Sequence, residues 1–225
     1  MFTLHSNHNQ SKTRNSVRFY TLSFLLLAAV VLSACTINLV EPVASGPAVI
    51  SKANIHVFGD NTNDIAGASS VLARTADGVT VSIDTVDLTP GEAYSIWWIV
   101  FNNPAACEGA TCKGSELSNP ETVGMVGYAT GGIADENGVA HFGAHLAVGD
   151  NSIALDNASG FPYELMDPAP GLIDPMSAEI HTVIRTHGAA LPDPTLQITT
   201  FNGDCNPECK NMQAALHLPR LVAAR

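Results

Sequence analysis

From Ala53 to His217 the chain is a succession of short apolar or alternating runs, each soon cut by Gly, Pro, Asn or Asp. No sustained helical period interrupts them, so the pattern confines this part of the chain to β-structure. Candidate strands cover residues 54–58, 69–75, 79–88, 93–101, 123–130, 139–147, 178–187, 195–201 and 212–217. Thr89-Pro90-Gly91 parts two of them and Glu136-Asn137-Gly138 two more. Asn-Gly is the dipeptide best suited to a type I′ hairpin turn. Residues 211–216 also fit a helix, but the window is short. Eight or nine such strands predict an all-β domain over residues 53–218: an antiparallel β-sandwich, immunoglobulin-like or a similar Greek key.

Residues 93–101 read Ala-Tyr-Ser-Ile-Trp-Trp-Ile-Val-Phe. Alternation sends Tyr94, Ile96, Trp98 and Val100 to one face and Trp97, Ile99 and Phe101 to the other. A strand apolar on both faces belongs at the centre of a fold, one face covered by a second layer and the other by loops. The alternative is an aromatic binding surface. Residues 150–175 carry six Gly and Pro (Gly160, Pro162, Pro168, Pro170, Gly171, Pro175) and the acids Asp156, Glu164, Asp167 and Asp174. A loop this long in a compact domain tends to serve function.

The N-terminus supplies an address. Lys12, Arg14 and Arg18 precede an apolar run from Phe19, which closes on Leu32-Ser33-Ala34-Cys35. This order resembles the signal and lipobox of bacterial lipoproteins. The resemblance implies removal of residues 1–34, lipidation of Cys35, and attachment to the membrane by lipid alone. The run to Ala34 is 16 residues, short of the roughly 20 that a spanning helix needs. An ordinary secretory signal is the other reading. Stable anchoring takes more than one acyl chain, and the lipoprotein modification brings two or three (diacylglyceryl with palmitate-type chains). Thr36 stands where inner-membrane retention signals place Asp, which implies the outer membrane if the host has one. Residues 35–52, with Pro42, Ser45, Gly46 and Pro47, read as a tether, and 219–225 as a C-terminal tail.

Without residues 1–34 the chain keeps 191 residues, 7 of them basic and 21 acidic. That length suits one cored domain. Such an acidic surface repels phosphate backbones and argues against nucleic acid as a partner. Anionic headgroups are repelled too, which leaves membrane contact to the lipid. After Cys35, four cysteines remain: Cys107, Cys112, Cys205 and Cys209. In an exported chain they read as two disulfides. Local pairing is the simplest of three connectivities, each loop contributing about 2 kcal/mol. A zinc site from C-x4-C and C-x3-C competes, against the 92 residues that separate the pairs.

The densest chemistry lies in residues 179–188. As a strand, they set Glu179, His181, Val183, Arg185 and His187 on one face and Ile180, Thr182, Ile184 and Thr186 on the other. Arg185 suits a carboxylate or a bound anion, and His181 a proton or a metal. His181 and His187 lie roughly 20 Å apart along a strand, and His141 and His145 about 13 Å. A divalent metal would therefore need donors from several strands, of which His145, His181 and His217 are the candidates. The bland alternative is a solvated face with an Arg–carboxylate pair. That carboxylate would come from a neighbouring strand or from the loop after residue 150. Asp60-Asn61-Thr62-Asn63-Asp64 has the spacing of a calcium loop but lacks its Gly and terminal Glu, so it reads as a turn. No G-x-S-x-G, H-E-x-x-H, phosphate loop or C-x-x-C occurs.

Gly91, Glu92, Ala93 and Tyr94, Trp97-Trp98, Phe101-Asn102-Asn103-Pro104 and Cys107, with residues 179–188, resemble an uncharacterised family of exported bacterial proteins. The likeness spans Val79 to His217 and implies a shared fold and export, with no activity attached. Two functions follow from the residues. One is a lipid-anchored, non-enzymatic envelope module that binds a protein or small molecule around Glu179, His181, Arg185 and His187. The other is a metal-dependent protein built on His145, His181 and His217.

Overall fold

The computed structural model describes residues 46–219. The expected signal segment 1–34, the expected lipidation site Cys35, most of the expected tether and nearly all of the expected C-terminal tail lie outside the described residues. Eight strands form in order: β1 (Val49–Val57), β2 (Asp64–Arg74), β3 (Gly78–Thr85), β4 (Glu92–Phe101), β5 (Gly124–Ile133), β6 (Ala140–Ala147), β7 (Glu179–Ala189) and β8 (Lys210–His217). One short helix, α1 (Thr195–Thr199), and three 3₁₀ turns complete the elements. The strands make one antiparallel sheet in the order β5-β4-β7-β8-β1-β2-β3-β6. Its end strands β5 and β6 lie against each other and share a hairpin turn, so the sheet is nearly closed and barrel-like.

The all-β antiparallel expectation holds, the strand read at 212–217 included, with two local corrections. Residues 195–201 are not a strand: they form α1 and a bend. Asp193 Oδ1 accepts from Thr195 N–H at 3.1 Å, and this local bond starts a helical turn in place of a ladder. Residues 211–216 lie within β8, where pairing to both β1 and β7 overrides their helical fit. The tether ends early, because β1 takes residues 49–52.

The β5–β6 turn also differs from its expected form. Of Asn137 and Gly138, only Gly138 has positive φ, +74°, whereas a type I′ turn needs both. The connection is instead a three-residue loop, 136–138, across which Asp135 N–H donates to Val139 O at 2.9 Å. Gly138 N–H donates to Asp135 O at 3.1 Å, and Asp135 Oδ1 accepts from the N–H groups of Asn137 and Val139 at 2.8 Å each. Gly138 also passes so close to the Leu88 carbonyl that a Cβ would collide with it. Asp60–Asp64 is a turn as read: Asp60 Oδ1 accepts from Thr62 N–H at 3.1 Å and closes the β1–β2 hairpin.

The two faces of β4 separate as alternation requires. Tyr94, Ile96, Trp98 and Val100 join the core inside the curved sheet with Leu72, Ile83 and Ile184. Trp97, Ile99 and Phe101 join a second core on the outer face with Val183, Leu117, Leu165 and Phe201. Loops cover this outer core: the segment after β4, the segment after β6, and the segment between β7 and β8. Both tryptophans are core residues, at 1% exposure or less. The cysteines pair locally as expected, Cys107 with Cys112 and Cys205 with Cys209, at Cα separations of 5.3 and 5.1 Å.

Candidate functional site

Strand β7 lies between β4 and β8 and is buried from Glu179 through Gly188. The polar face read from its sequence is therefore not solvated. It lies under the covering loops, and each of its ionisable groups has its own partners.

Among the described residues Arg185 has no carboxylate partner. Its Nε donates to Phe201 O at 2.8 Å, Nη1 to Asn211 Oδ1 at 2.9 Å, and Nη2 to Asn202 Oδ1 at 2.6 Å and Cys209 O at 3.3 Å. The guanidinium also lies 4.2 Å from the centre of the Phe201 ring. The expected ion pair is replaced by neutral acceptors because β7 faces the β7–β8 connection here, and that segment supplies carbonyls and amides. Burial lowers the Arg185 pKa from its ordinary value.

His187 is spanned by hydrogen bonds. Its Nε2 lies 2.8 Å from Ser95 Oγ, which also accepts from Trp97 Nε1 at 2.8 Å. Its Nδ1 lies 3.0 Å from Gly203 O and 3.2 Å from Cys209 Sγ. Burial pushes the pKa of this imidazole down, and the nearby Arg185 charge adds to the effect.

Glu179 and His181 form a dyad. Glu179 Oε1 lies 2.6 Å from His181 Nε2 and accepts from Cys112 N–H at 2.8 Å. A carboxylate only accepts, so Nε2 carries a ring proton, and in the Nε2–H tautomer Nδ1 is an acceptor. Nδ1 has no hydrogen-bond partner among the described residues, and the His181 side chain keeps 11% of its surface exposed. The ring meets Phe101 edge-on, with centroids 5.5 Å apart.

His181 stands in the wall of a mostly apolar cavity of about 230 Å³. The floor is Trp97, Ile99 and Val183 from β4 and β7. Leu117, Phe161, Tyr163 and Phe201 close it from the loops. The aromatics run edge to face from Tyr128 through Trp97, Phe201 and Phe161 to Tyr163, with successive centroids 5.7, 5.3, 5.4 and 5.8 Å apart. At the rim Phe58 and Tyr163 are 45% and 38% exposed. A neighbouring depression of about 470 Å³ shares Phe58, His181 and Val183 and adds His56, Asp60, Asn61 and Lys113. His181 thus stands where the apolar hollow meets a more open depression whose lining has a larger polar share.

The metal trio does not assemble. His145 is exposed on β6, its Nδ1 2.9 Å from Thr80 Oγ1. His217 is buried on the inner side of β8, between Ser51 Oγ at 3.1 Å and Ser70 Oγ at 2.9 Å. His181 is on the outer face. Side-chain alternation separates His181 from His217, whose Cα partners across the β7–β8 ladder are Leu216 and Ile180. Among the described residues no metal-ligating cluster contains any of the three.

The sequence reading missed Phe161 and Tyr163. Their signal was present: they are the two aromatic residues of segment 150–175, a stretch rich in Gly, Pro and acids. Trp97 belongs to the core as expected, and the cavity rests on its buried ring.

The fold and site define an all-β antiparallel protein with two local disulfides and an aromatic hollow on the outer face of its central strands. No family model, curated protein or solved structure matches the chain. The likeness noted above for residues 91–107 and 179–188 therefore brings no activity with it.

Proposed function

We propose that this chain is a lipid-anchored cell-envelope protein that binds a small, largely apolar ligand carrying one hydrogen-bond donor. Its body is read as a flattened Greek-key barrel, in which β7 returns beside β4 after the β4-β5-β6 run and the two halves of the sheet face each other as sandwich layers. The observation that carries the binding reading is His181 in the wall of the aromatic cavity, its Nε2 held by buried Glu179 and its Nδ1 left as an acceptor. Ligand sites are apolar hollows with a few oriented polar groups. The hollow lies below the common size range of drug-like sites, roughly 300–1,000 Å³, which restricts the ligand to one ring or a short chain. The lipobox-like order Leu32-Ser33-Ala34-Cys35 supports the anchoring half, and the acidic remainder of the chain leaves membrane contact to the lipid.

Phenol and toluene test the site, since they share a shape and differ by one donor. A net hydrogen bond is worth about 1 kcal/mol, so phenol is expected to bind about fivefold tighter in an NMR titration. His181→Phe should abolish that preference and keep toluene binding. Equal affinity for both probes in the unaltered protein, or no saturable shift with either, would overturn the reading. Anchoring is tested separately. Mass spectrometry should find a diacylglyceryl group on an N-terminal Cys35, and Cys35→Ala should release the protein from membranes. An unmodified Cys35 in a membrane-retained protein would exclude this route.

A further inference from the structure

We infer that His187, Cys205 and Cys209 form a redox-gated site for a thiophilic divalent cation of the zinc class. The site is closed while the two cysteines are joined and opens when they are reduced. It lies apart from the His181 hollow and does not rest on the binding proposed there.

Three donor atoms meet at this place. The His187 Nδ1 and the sulfurs of Cys205 and Cys209 all lie within 4.8 Å of one another, and Nδ1 is 3.2 Å from Cys209 Sγ. Zinc binds thiolate at about 2.3 Å and imidazole at about 2.0–2.1 Å, so its donors sit roughly 3.5–4 Å from each other. Opening the disulfide lets the sulfurs separate to that spacing without moving the backbone far, since the Cα atoms are already 5.1 Å apart. Three protein donors leave one position for water or a ligand.

The fold holds this geometry independently of the disulfide. Arg185 grips both ends of the loop, through Asn202 at 2.6 Å on one side and Cys209 O at 3.3 Å and Asn211 at 2.9 Å on the other. The loop is also tied to β7 by Asn206 N–H to His187 O at 2.7 Å and Ala189 N–H to Asn206 O at 3.0 Å. Reduction therefore leaves both thiols beside the imidazole. Cys205 and Cys209 are half-buried, within reach of a reductant, and Asp204 beside them is an exposed acid that attracts a cation, while Glu208 is paired with Lys210 Nζ at 3.0 Å.

The second cysteine cluster lacks these features. Cys107, Cys112 and Glu116 are also close. The Glu116 carboxylate is already taken by the N–H groups of Glu108 and Lys113, at 2.5 Å each. Cys112 is 4% exposed, and the cluster contains no imidazole.

The chemistry balances in two steps. A dithiol in solution delivers two electrons and two protons to the disulfide, giving two protein thiols and the oxidised dithiol. A divalent cation then displaces the two thiol protons to solvent and joins both sulfurs. The His187 ring releases the proton from Nδ1 and takes one at Nε2, where Ser95 Oγ can accept it. Nδ1 is then free to bind the metal.

Cobalt(II) provides the test, because tetrahedral thiolate ligation gives it strong visible and near-ultraviolet bands. The full chain is reduced with a water-soluble phosphine, which leaves as its oxide, and titrated with Co²⁺ and then Zn²⁺. One equivalent of Co²⁺ should bind with thiolate bands that Zn²⁺ displaces. The oxidised protein should bind at least 100-fold more weakly. A Cys35→Ser, Cys107→Ser, Cys112→Ser variant should retain the site, and a Cys205→Ser, Cys209→Ser variant should lose it. His187→Asn keeps a donor for Gly203 but removes the imidazole. Its affinity should fall at least tenfold, with circular dichroism confirming the fold. Bands that follow Cys107 and Cys112, equal binding by the oxidised chain, no bands at all, or an unchanged affinity in folded His187→Asn would each overturn the inference.

Discussion

Arg74→Met is expected to destabilise the protein by about 4 kcal/mol, measured by chemical denaturation at neutral pH. Arg74 ends β2 and is 1% exposed. Its guanidinium donates to four main-chain carbonyls: Ala178 O at 2.9 Å, His217 O and Leu218 O at 3.1 Å each, and Pro175 O. One side chain thereby joins the end of β8 to the segment entering β7. Asp174 supplies a favourable charge nearby, against the burial that lowers the Arg74 pKa. Methionine fills much of the same volume and brings no donor, so the loss reports on the hydrogen bonds. Carbonyls left buried without a donor cost about 1–3 kcal/mol each. Water can reach Leu218, which is 52% exposed, and this keeps the total below the sum. Arg74→Lys should recover only part of the loss, since a point-like ammonium cannot span the same carbonyls. A change under about 1 kcal/mol in Arg74→Met would show that the clamp contributes little.

The second large effect is a loss of stability on mild acidification, centred on His217. Burial first, and then the charge of Arg74, lowers its pKa to about 4. An imidazole in the unfolded chain titrates near 6.5. Between these values the unfolded chain takes up a proton that the folded one refuses. Unfolding is therefore favoured as pH falls from about 6.5 to about 4, and the full contribution is present above that window. The shift corresponds to about 3 kcal/mol. His56 and His187 are displaced in the same direction by burial, so they steepen the same limb. His217→Gln isolates one share: its stability should fall less than that of the unaltered protein between pH 7 and pH 4. The depressed carboxylates Asp60, Asp135, Asp150 and Asp193 act in a lower window, since they start from about 3.8. Parallel stability curves for variant and unaltered protein would rule out His217 as the source.

Both effects come from polar side chains buried by the closure of the sheet, and neither was legible in the sequence. Arg74 and His217 lie 143 residues apart and meet because β1 links β2 to β8. His217 was read as a metal candidate because imidazole is a versatile ligand. Its surroundings are two serine hydroxyls and a guanidinium, which suit a neutral ring. Arg185 was matched with a carboxylate on the general preference of its charge, and the nearest segment offered carbonyls and amides instead. Strand alternation tells which face a residue takes. It says nothing of what covers that face.

The sequence by itself determined the all-β class, most of the strand positions and the central strand apolar on both faces, and it made local pairing of the cysteines the simplest of three connectivities. These are near-neighbour properties. A period of two, a turn residue, or two cysteines a few residues apart act over distances that the chain sets directly. The tertiary structure alone decided that the strands join one nearly closed sheet, that residues 195–201 turn into a helix, and that Phe161 and Tyr163 reach over Trp97 to leave a hollow beside His181. It also decided which imidazoles meet which partners. Those outcomes depend on pairings between strands and loops far apart in the chain, where many partners are compatible with one residue pattern. Burial and closure select among them.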